Sequence, residues 1–484
     1  MSLTLIGAIQ LLLGIGLVVR GSLGALLAFL VLSGVFGGSS AIDLPALGGS
    51  SVTPAHFALV FLLLRCMLPG GTAPGAIGSA LRAHVWLVAF VAYGVVAALL
   101  LPHIFAGEMT VAPLRGLVRP RYGTEQARVL ATEPLRFTVQ NLTTAIYMAG
   151  TLAAALASHA ALRGPGGARL LARTGAAVGV LHALLGIASV VLKDTPANAI
   201  FAFLRNGSYA QLDNDWAGFV RMNGLFPEPS AFAAFAVAWF VFNFECWLRA
   251  VEPRLTGAAA LLLACALAGS ASSTAYAGLA ICGALGALRL ATTPRFVTPD
   301  RLAWLALGGL TALAGLCALL LLDPVRAAGL QDLLAHMTLD KGGSFSGRQR
   351  LFWAGQGLDA FVVSRGLGIG PGSFRSSSLA TAILGSMGVV GSAAFVLHLG
   401  RAFAPLALST YRRSGEPERD TAAAAAWAML VGIAVASLSA PSCDPGLTFA
   451  VLSGGALALR QQARGRARAV LPPAEGLTTE LACA

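Results

Sequence analysis

Helix-length apolar runs recur along almost the whole chain, and they constrain its fold more than any other feature. We count thirteen candidate spans, at about residues 4–19, 22–38, 54–70, 84–106, 139–160, 171–192, 228–248, 256–271, 274–291, 303–322, 378–400, 421–439 and 444–459. A helix needs about 20 apolar residues to cross a bilayer, and within lipid only helices and closed barrels satisfy their own backbone groups. We therefore expect an all-α fold, a polytopic helical membrane protein with about 12 to 13 transmembrane helices and large loops.

The composition agrees with this class. Hydrophobic residues make up 56% of the 484 residues and charged residues only 11%. So few charges cannot cover a water-soluble globular surface. We see no internal repeat and no long linker, and we expect one membrane-embedded domain over residues 1–460, followed by a tail over 461–484.

The charge distribution predicts which side each loop occupies. The formal net charge is +12, and threading the spans back and forth puts most of this excess on one set of loops. The positive-inside rule makes that side and the tail cytoplasmic, and it makes the opposite loops periplasmic. The basic loops are short and scattered, so we expect no nucleic acid as a partner.

The cysteines give no sign of a disulfide framework or a zinc site. Most of the seven cysteines lie within or at the ends of apolar runs. The sequence has no CxxC pair and no histidine at ligand spacing from a cysteine. We expect no metal and no other cofactor.

Three long loops face the predicted outer side, and they are residues 105–138, 193–227 and 323–377. Long loops are uncommon unless they work or are disordered. The second loop carries Arg205 and Arg221 and enters the next span through Glu228. Glu228 has two interpretations: a helix-start residue favoured by the helix dipole, or a functional carboxylate facing a polar cavity at the membrane edge.

The third loop carries four arginines after Ser344, and they are Arg348, Arg350, Arg365 and Arg375. We expect residues 350–363 to form a short amphipathic helix lying on the membrane, with five apolar side chains buried in the interface: Leu351, Phe352, Trp353, Leu358 and Phe361. The glycine run that follows, 366–372, either is a turn that needs positive φ angles or offers backbone N–H groups to an anion.

Arginines on the outer side are disfavoured by the topology rule, so their concentration here needs a reason. Guanidinium groups bind phosphate through paired hydrogen bonds of fixed geometry. Arginines grouped beside proline and glycine turns indicate a site for an anionic lipid headgroup at the membrane surface.

The chain resembles the O-antigen polymerase and ligase family of bacterial envelopes in three segments, RMNGLFPEPSAFAAF, GSASSTAYAGL and SGRQRLFWAGQGLDAFVVSRGLGIGPGSFRSSSLATAILGSMGVVGS. The likeness covers about residues 200–395 by motif and the whole chain by hydropathy. It implies a membrane glycosyltransferase of the C-type class in the bacterial inner membrane, with its active site facing the periplasm. The implied donor is an oligosaccharide on undecaprenyl pyrophosphate. Membrane lipids and a chain-length regulator are the other expected partners.

The resemblance also implies roles for single residues. Arg221 and Arg348 match the family arginines that bind the pyrophosphate, and Arg205 matches less closely. We expect Arg221 and Arg348 to stabilise the leaving pyrophosphate without a metal and Glu228 to accept the proton of the acceptor hydroxyl. The arginines expected to bind substrate are Arg205, Arg350, Arg365 and Arg375.

One departure from the family bears on the reaction. Family ligases carry a histidine just before the span that follows this loop, where the present chain has Ser376, Ser377 and Ser378. His336, the only histidine in the loop, lies on the other side of Arg348. The departure favours polymerisation of repeat units, with transfer to a lipid A core as the alternative.

A secondary transporter or a flippase of lipid-linked oligosaccharides is the alternative of another class. Such proteins usually carry charges within broken spans, whereas the mid-span regions here are almost free of ionisable residues. Glu245 and Arg249 form an i, i+4 pair at a predicted cytoplasmic end. The long outer loops favour an enzyme.

Overall fold

A computed structural model describes residues 2–44, 50–72, 75–114, 130–207, 215–216, 219–293, 297–323, 328–329, 331–332, 335 and 343–470. The helices in this part of the chain are α1 (Leu5–Arg20), α2 (Leu23–Ser33), α3 (Pro54–Met67), α4 (Ala76–Ala83), α5 (Val85–Ile104), α6 (Val139–Leu162), α7 (Gly167–Val191), α8 (Asn198–Leu204), α9 (Pro229–Leu248), α10 (Pro253–Gly269), α11 (Ser273–Thr292), α12 (Pro299–Leu322), α13 (Phe345–Val363), α14 (Leu379–Phe403), α15 (Leu408–Tyr411), α16 (Pro417–Ala436) and α17 (Gly446–Val470). Short antiparallel strands pair as β1 (Ser2–Leu3) with β2 (Ile42–Leu44) and β2 with β3 (Ser50–Val52), as β4 (Thr110–Val111) with β5 (Glu133–Pro134), and as β6 (Asp215–Trp216) with β7 (Phe219–Val220).

Eight of the described helices are long and apolar enough to cross a membrane, and they are α5, α6, α7, α9, α11, α12, α14 and α16. Four shorter apolar helices are α1, α2, α3 and α10. Every predicted span coincides with a helix. The expected class, a multi-pass helical membrane protein, is confirmed, whereas the number of 12 to 13 crossings stays a prediction.

Local sequence signals set where the helices begin. The side chains of Thr4, Ser22 and Thr53 each accept a backbone N–H group from the first turn of the helix that follows. Proline opens α3, α9, α10 and α16, at a position where its missing N–H leaves no hydrogen bond unmade.

Helices α9 and α16 are the most buried of the candidate spans. Trp239, Phe232 and Phe242 of α9 are fully buried, as are alanines 422–426 of α16. Small residues bring helices close elsewhere, since a Cβ added to Gly454 of α17 would lie 2.7 Å from a backbone oxygen of α6. Close packing of this kind holds membrane helices together, because lipid provides no hydrophobic drive between them.

A buried ion network ties α9 to α11 and α16. Arg249 Nε lies 3.1 Å from Glu245, its Nη1 lies 3.3 Å from Asp420, and Arg289 also bonds Glu245. The Arg249 guanidinium donates further hydrogen bonds to three backbone carbonyls of the segment 409–412. The predicted pair of Glu245 and Arg249 is confirmed, and it belongs to a larger network.

The loop contacts fall at two ends of the bundle. At one, which we call the basic end, Arg401 donates to the Arg82 carbonyl and Arg169 pairs with Glu252. At the other, the loop end, backbone hydrogen bonds join segment 36–41 to 204–207 and 364–378 to 437–445. This division of the loops between two ends agrees with spans that cross the membrane in alternating directions. Which end is cytoplasmic stays a prediction.

Two predictions fall partly or wholly outside the described residues. Helix α17 continues to Val470, so the predicted tail is helical where it begins. Residues 471–484 and His336 lie outside the described part of the chain.

Helix α14 is broken at Gly388, where φ is 55° and ψ is −150°. The glycine run 366–372 fits against this break, and the N–H groups of Ile369 and Gly370 donate to two α14 carbonyls at 2.9 and 3.0 Å. All four glycines of the run have positive φ. The turn interpretation of the run is confirmed, and these N–H groups are already used inside the protein.

Helix α13 starts earlier than predicted. The five apolar residues that were expected on one face do not share one environment. It begins at Phe345, because the Ser344 hydroxyl accepts the Gly347 N–H at 3.1 Å. Leu351 and Leu358 are 76% and 51% exposed, and together with Val362 they form a stripe that the protein leaves uncovered. The other three predicted residues, Phe352, Trp353 and Phe361, are partly buried, since they lie at other angles around the helix.

Candidate functional site

Glu228 lies where the second outer loop enters α9. It is the N-cap residue, in extended conformation, but its side chain makes no capping hydrogen bond. Its carboxylate instead accepts a hydrogen bond from the Ser230 hydroxyl, and the residue is exposed. The helix-start interpretation is correct for the backbone, while the carboxylate is free to face the arginines described next.

Arg221 reaches the turn between α10 and α11. Its Nε donates to the Ala271 carbonyl at 3.0 Å, and Ala271 has a φ of 48°, a left-handed conformation that is uncommon outside glycine. Burial lowers the pKa of Arg221, an effect that Glu228 opposes and Arg350 increases. Glu228 and Arg350 are therefore the charged groups that act most on Arg221.

Arg375 is placed from the other side of the site. Its guanidinium carbon lies 4.1 Å from the centre of the Trp353 ring, a cation–π stack that fixes the plane of the group. Burial lowers the pKa of Arg375, and Glu228 opposes this shift. Its Nε is buried without a hydrogen-bond partner among the described residues, which is costly unless a ligand supplies one.

Arg350 is positioned by the start of α14. The Ser377 hydroxyl donates to the Arg350 carbonyl at 2.5 Å. Ser376 and Ser378 bond each other, and Ser378 caps α14 through the Thr381 N–H. The serines that stand in place of the family histidine therefore have a structural role, joining α13 to α14.

The structure thus brings together Arg221, Glu228, Arg350 and Arg375 of the predicted site. The charge of Glu228 acts on both Arg221 and Arg375, and the charge of Arg350 acts on Arg221. Arginine stays protonated in proteins, so this group of four residues, which we call the arginine cluster, carries an excess of positive charge. It has the chemistry to bind a phosphate or pyrophosphate.

Arg348 lies on α13 and Arg365 lies just beyond its end, and both are placed differently from Arg350. Arg348 is exposed, and two residues along a helix correspond to about 160° around its axis, so it faces away from the side that carries Arg350. Arg365 follows the other end of α13, about 22 Å from Arg350 at 1.5 Å per residue. A single pyrophosphate cannot contact both ends of this helix.

Arg365 also has an unusual conformation. Its φ is 52°, its N–H donates to the Val362 carbonyl, and the next N–H donates to the Phe361 carbonyl. These two bonds form a Schellman motif, whose left-handed position is usually glycine. The left-handed conformation of Arg365 is therefore explained by its place at the end of α13.

Arg205 is buried at the end of α8. Its Nε donates to the Phe201 carbonyl at 3.3 Å, and its guanidinium carbon lies 5.9 Å from the Phe201 ring centre. Neighbouring Asn206 accepts the Ser40 N–H at 2.7 Å. The predicted role of Arg205 in substrate binding stays a prediction.

Sequence reasoning missed the roles of two residues at the loop end. Trp353 was expected in the membrane interface but stacks on Arg375. Asp444, in the turn before α17, accepts the Thr151 hydroxyl at 2.8 Å and the Gly446 N–H at 3.3 Å. The Asp-Pro-Gly sequence before an apolar run was the available signal for this capping role.

Three histidines meet inside the bundle. The ring centres of His84 and His159 are 5.4 Å apart, and those of His84 and His398 are 5.5 Å apart. All three are fully buried, as expected for packing residues. Among the described residues no three His, Cys, Asp or Glu side chains are arranged to hold a metal ion.

Fold and composition together define a multi-pass helical membrane protein with an arginine cluster at its loop end. No protein-family model matches the chain, and no curated protein is significantly similar to it. The resemblance to O-antigen polymerases and ligases therefore stays a hypothesis.

Proposed function

We propose that the protein is a glycosyltransferase that polymerises oligosaccharide repeat units carried on undecaprenyl pyrophosphate, at the periplasmic face of a bacterial inner membrane. The observation that carries the proposal is the Arg375 guanidinium, which is stacked on Trp353 with an unpartnered, buried Nε in the described structure. A group built in this way beside two further arginines suits a multiply charged phosphate ligand.

The chemistry follows from the charges of the cluster. The acceptor hydroxyl oxygen forms a bond to the anomeric carbon, the bond from that carbon to the pyrophosphate breaks, and the electron pair leaves with the pyrophosphate. Arg221, Arg350 and Arg375 stabilise the charge that develops there. Glu228 accepts the hydroxyl proton.

A transporter or flippase is the second candidate, and the break in α14 is the observation that favours it. Transporters place substrate and ion sites at broken helices, where backbone carbonyls become free. Here the run 366–372 donates N–H groups to carbonyls at the break. We therefore favour the enzyme.

The test is chain extension by the purified full-length protein in nanodiscs, with an undecaprenyl-pyrophosphate-linked repeat unit as the sole substrate. We expect a ladder spaced by one repeat unit. Arg375→Ala and Arg221→Ala are expected to reduce the initial rate by about 10²-fold or more, the usual effect of losing a group that stabilises transition-state charge. Glu228→Gln should be inactive and Glu228→Asp partly active.

Two further variants sharpen the result. Arg348→Ala decides between two expectations: the family resemblance predicts that it abolishes extension, whereas the position of Arg348 on the other side of α13 from Arg350 predicts a ladder like that of the wild type. Arg136→Ala is the control, because Arg136 is an exposed arginine that pairs with Glu133. Wild-type ladders from Arg375→Ala and Arg221→Ala would refute the proposal. Transfer only when a lipid A core is added would identify a ligase.

A further inference from the structure

The basic end of the bundle contains a cavity of about 220 Å³, far from the arginine cluster in the fold. It lies between the ends of α4 and α14 and the middle of α17, and it is lined by Ala83, Arg401, Ala404, Leu457, Arg460, Gln461 and Arg464. We call it the basic cavity. Three guanidinium groups around so small a space would repel one another without an anion.

Backbone carbonyls hold two of the three arginines in place. Arg460 donates to the Ala402 carbonyl at 2.9 Å and to the Phe403 carbonyl at 3.4 Å. Arg401 donates to the Arg82 carbonyl at 2.9 Å. Cations at a helix C-terminus are favourable in themselves, so these bonds explain why Arg460 sits at the end of α14. They do not neutralise its charge.

Other arginines at this end are paired with carboxylates, and the cavity arginines are not. Arg169 and Arg173 pair with Glu252, and Arg466 pairs with Glu418. Within the described residues Arg401, Arg460 and Arg464 form no ion pair, and Arg464 makes no hydrogen bond through its side chain. The basic cavity therefore presents unbalanced charge and unused donors.

Apolar surface adjoins the cavity. Ala83, Ala404 and Leu457 form part of its lining, and just beyond Ala404 the side chain of Leu406 is 99% exposed and that of Leu408 is 71% exposed. Exposed leucines beside a basic pocket at the end of a helical bundle suit a ligand with a charged head and an apolar tail.

We infer that the basic cavity binds a phosphate group, with Arg401, Arg460 and Arg464 as its ligands. The source is the headgroup of an anionic phospholipid in the leaflet at the basic end, or free phosphate. The inference is independent of the proposed glycosyl transfer, because it concerns the opposite end of the bundle.

The test uses the full-length protein and phosphatidylglycerol as the probe. The protein is reconstituted in nanodiscs of phosphatidylcholine with or without phosphatidylglycerol, and retained lipid is counted by native mass spectrometry. A parallel sample in detergent is titrated with inorganic phosphate while its Tm is followed. Retention of phosphatidylglycerol identifies a lipid site. A Tm rise with phosphate alone identifies free phosphate as the source.

Arg464→Gln is the decisive variant, because its side chain holds no other described group in place and its loss should not disturb folding. We expect about tenfold weaker binding of the probe, the effect of one charge-assisted hydrogen bond. Arg254→Gln, at another exposed arginine of the same end, is the control and should bind like the wild type. The inference is overturned if neither probe binds, or if the two variants lose binding equally.

Discussion

Gly388→Ala is the substitution whose effect follows most directly from the structure. The combination of φ 55° and ψ −150° at this position is essentially restricted to glycine, and holding a side chain there costs about 1–3 kcal/mol. An added Cβ would also overlap the Gly366 carbonyl oxygen. Relieving such an overlap by moving backbone costs a further ~1–3 kcal/mol. We therefore expect a destabilisation of about 2–6 kcal/mol.

The assay is thermal unfolding of the purified protein in one detergent, followed by tryptophan fluorescence. A loss of this size should lower the Tm by roughly 5 °C. Gly400→Ala is the matched control in the same helix, because a Cβ there meets nothing within 4 Å. That variant should be neutral or more stable by up to about 1 kcal/mol. Equal Tm values for the two variants would refute the account of the break.

Two further predictions concern stability. Arg365→Gly should raise stability by about 1 kcal/mol, because glycine removes the left-handed strain, and chain extension should be unchanged; a loss of extension at normal Tm would return Arg365 to the site. Arg249→Ala should cost about 3–5 kcal/mol, since it leaves the buried carboxylate of Asp420 without its ion pair and that of Glu245 with Arg289 alone, whereas Arg254→Ala, at an exposed position in the first turn of α10, should change stability by less than about 0.5 kcal/mol. Thermal unfolding of the three variants measures both effects, and similar losses for Arg249→Ala and Arg254→Ala would contradict the network.

The helices could be predicted from sequence because each depends on a local apolar run and on nearby capping residues. In the structure Arg221 interacts electrostatically with Glu228 and Arg350, and Arg375 with Glu228, while the prediction that these residues form a substrate site stays a prediction. Helix periodicity could have excluded Arg348 from the same side as Arg350, once α13 was extended back to Ser344.

Other features depend on contacts that the sequence does not reveal. In the sequence, Gly388 does not differ from other glycines in apolar runs. The break there accommodates segment 366–372, and the sequence does not reveal that this segment packs against α14. Trp353 is a residue type that is common at the membrane interface. Its stacking on Arg375 depends on how α13 packs against segment 364–378. The partner of Arg249 on α16, Asp420, is distant in sequence.

The cluster is assembled from two separately anchored parts, and this bears on how the proposed reaction would start. One part holds Arg350 and Arg375, since the Arg375 N–H donates to the Ala112 carbonyl at 2.8 Å and Ser377 donates to the Arg350 carbonyl. The other holds Arg221 and Glu228, with Arg221 fixed on the turn before α11.

Glu228 supplies the negative charge between these parts in the absence of a ligand. A pyrophosphate carries more charge than one carboxylate, so it would compete with Glu228 for the arginines of both parts. A carboxylate displaced from the arginines can hydrogen-bond the acceptor hydroxyl instead, which is the geometry that a general base needs. Under the proposed function, donor binding would itself prepare Glu228 to accept the proton of the acceptor hydroxyl.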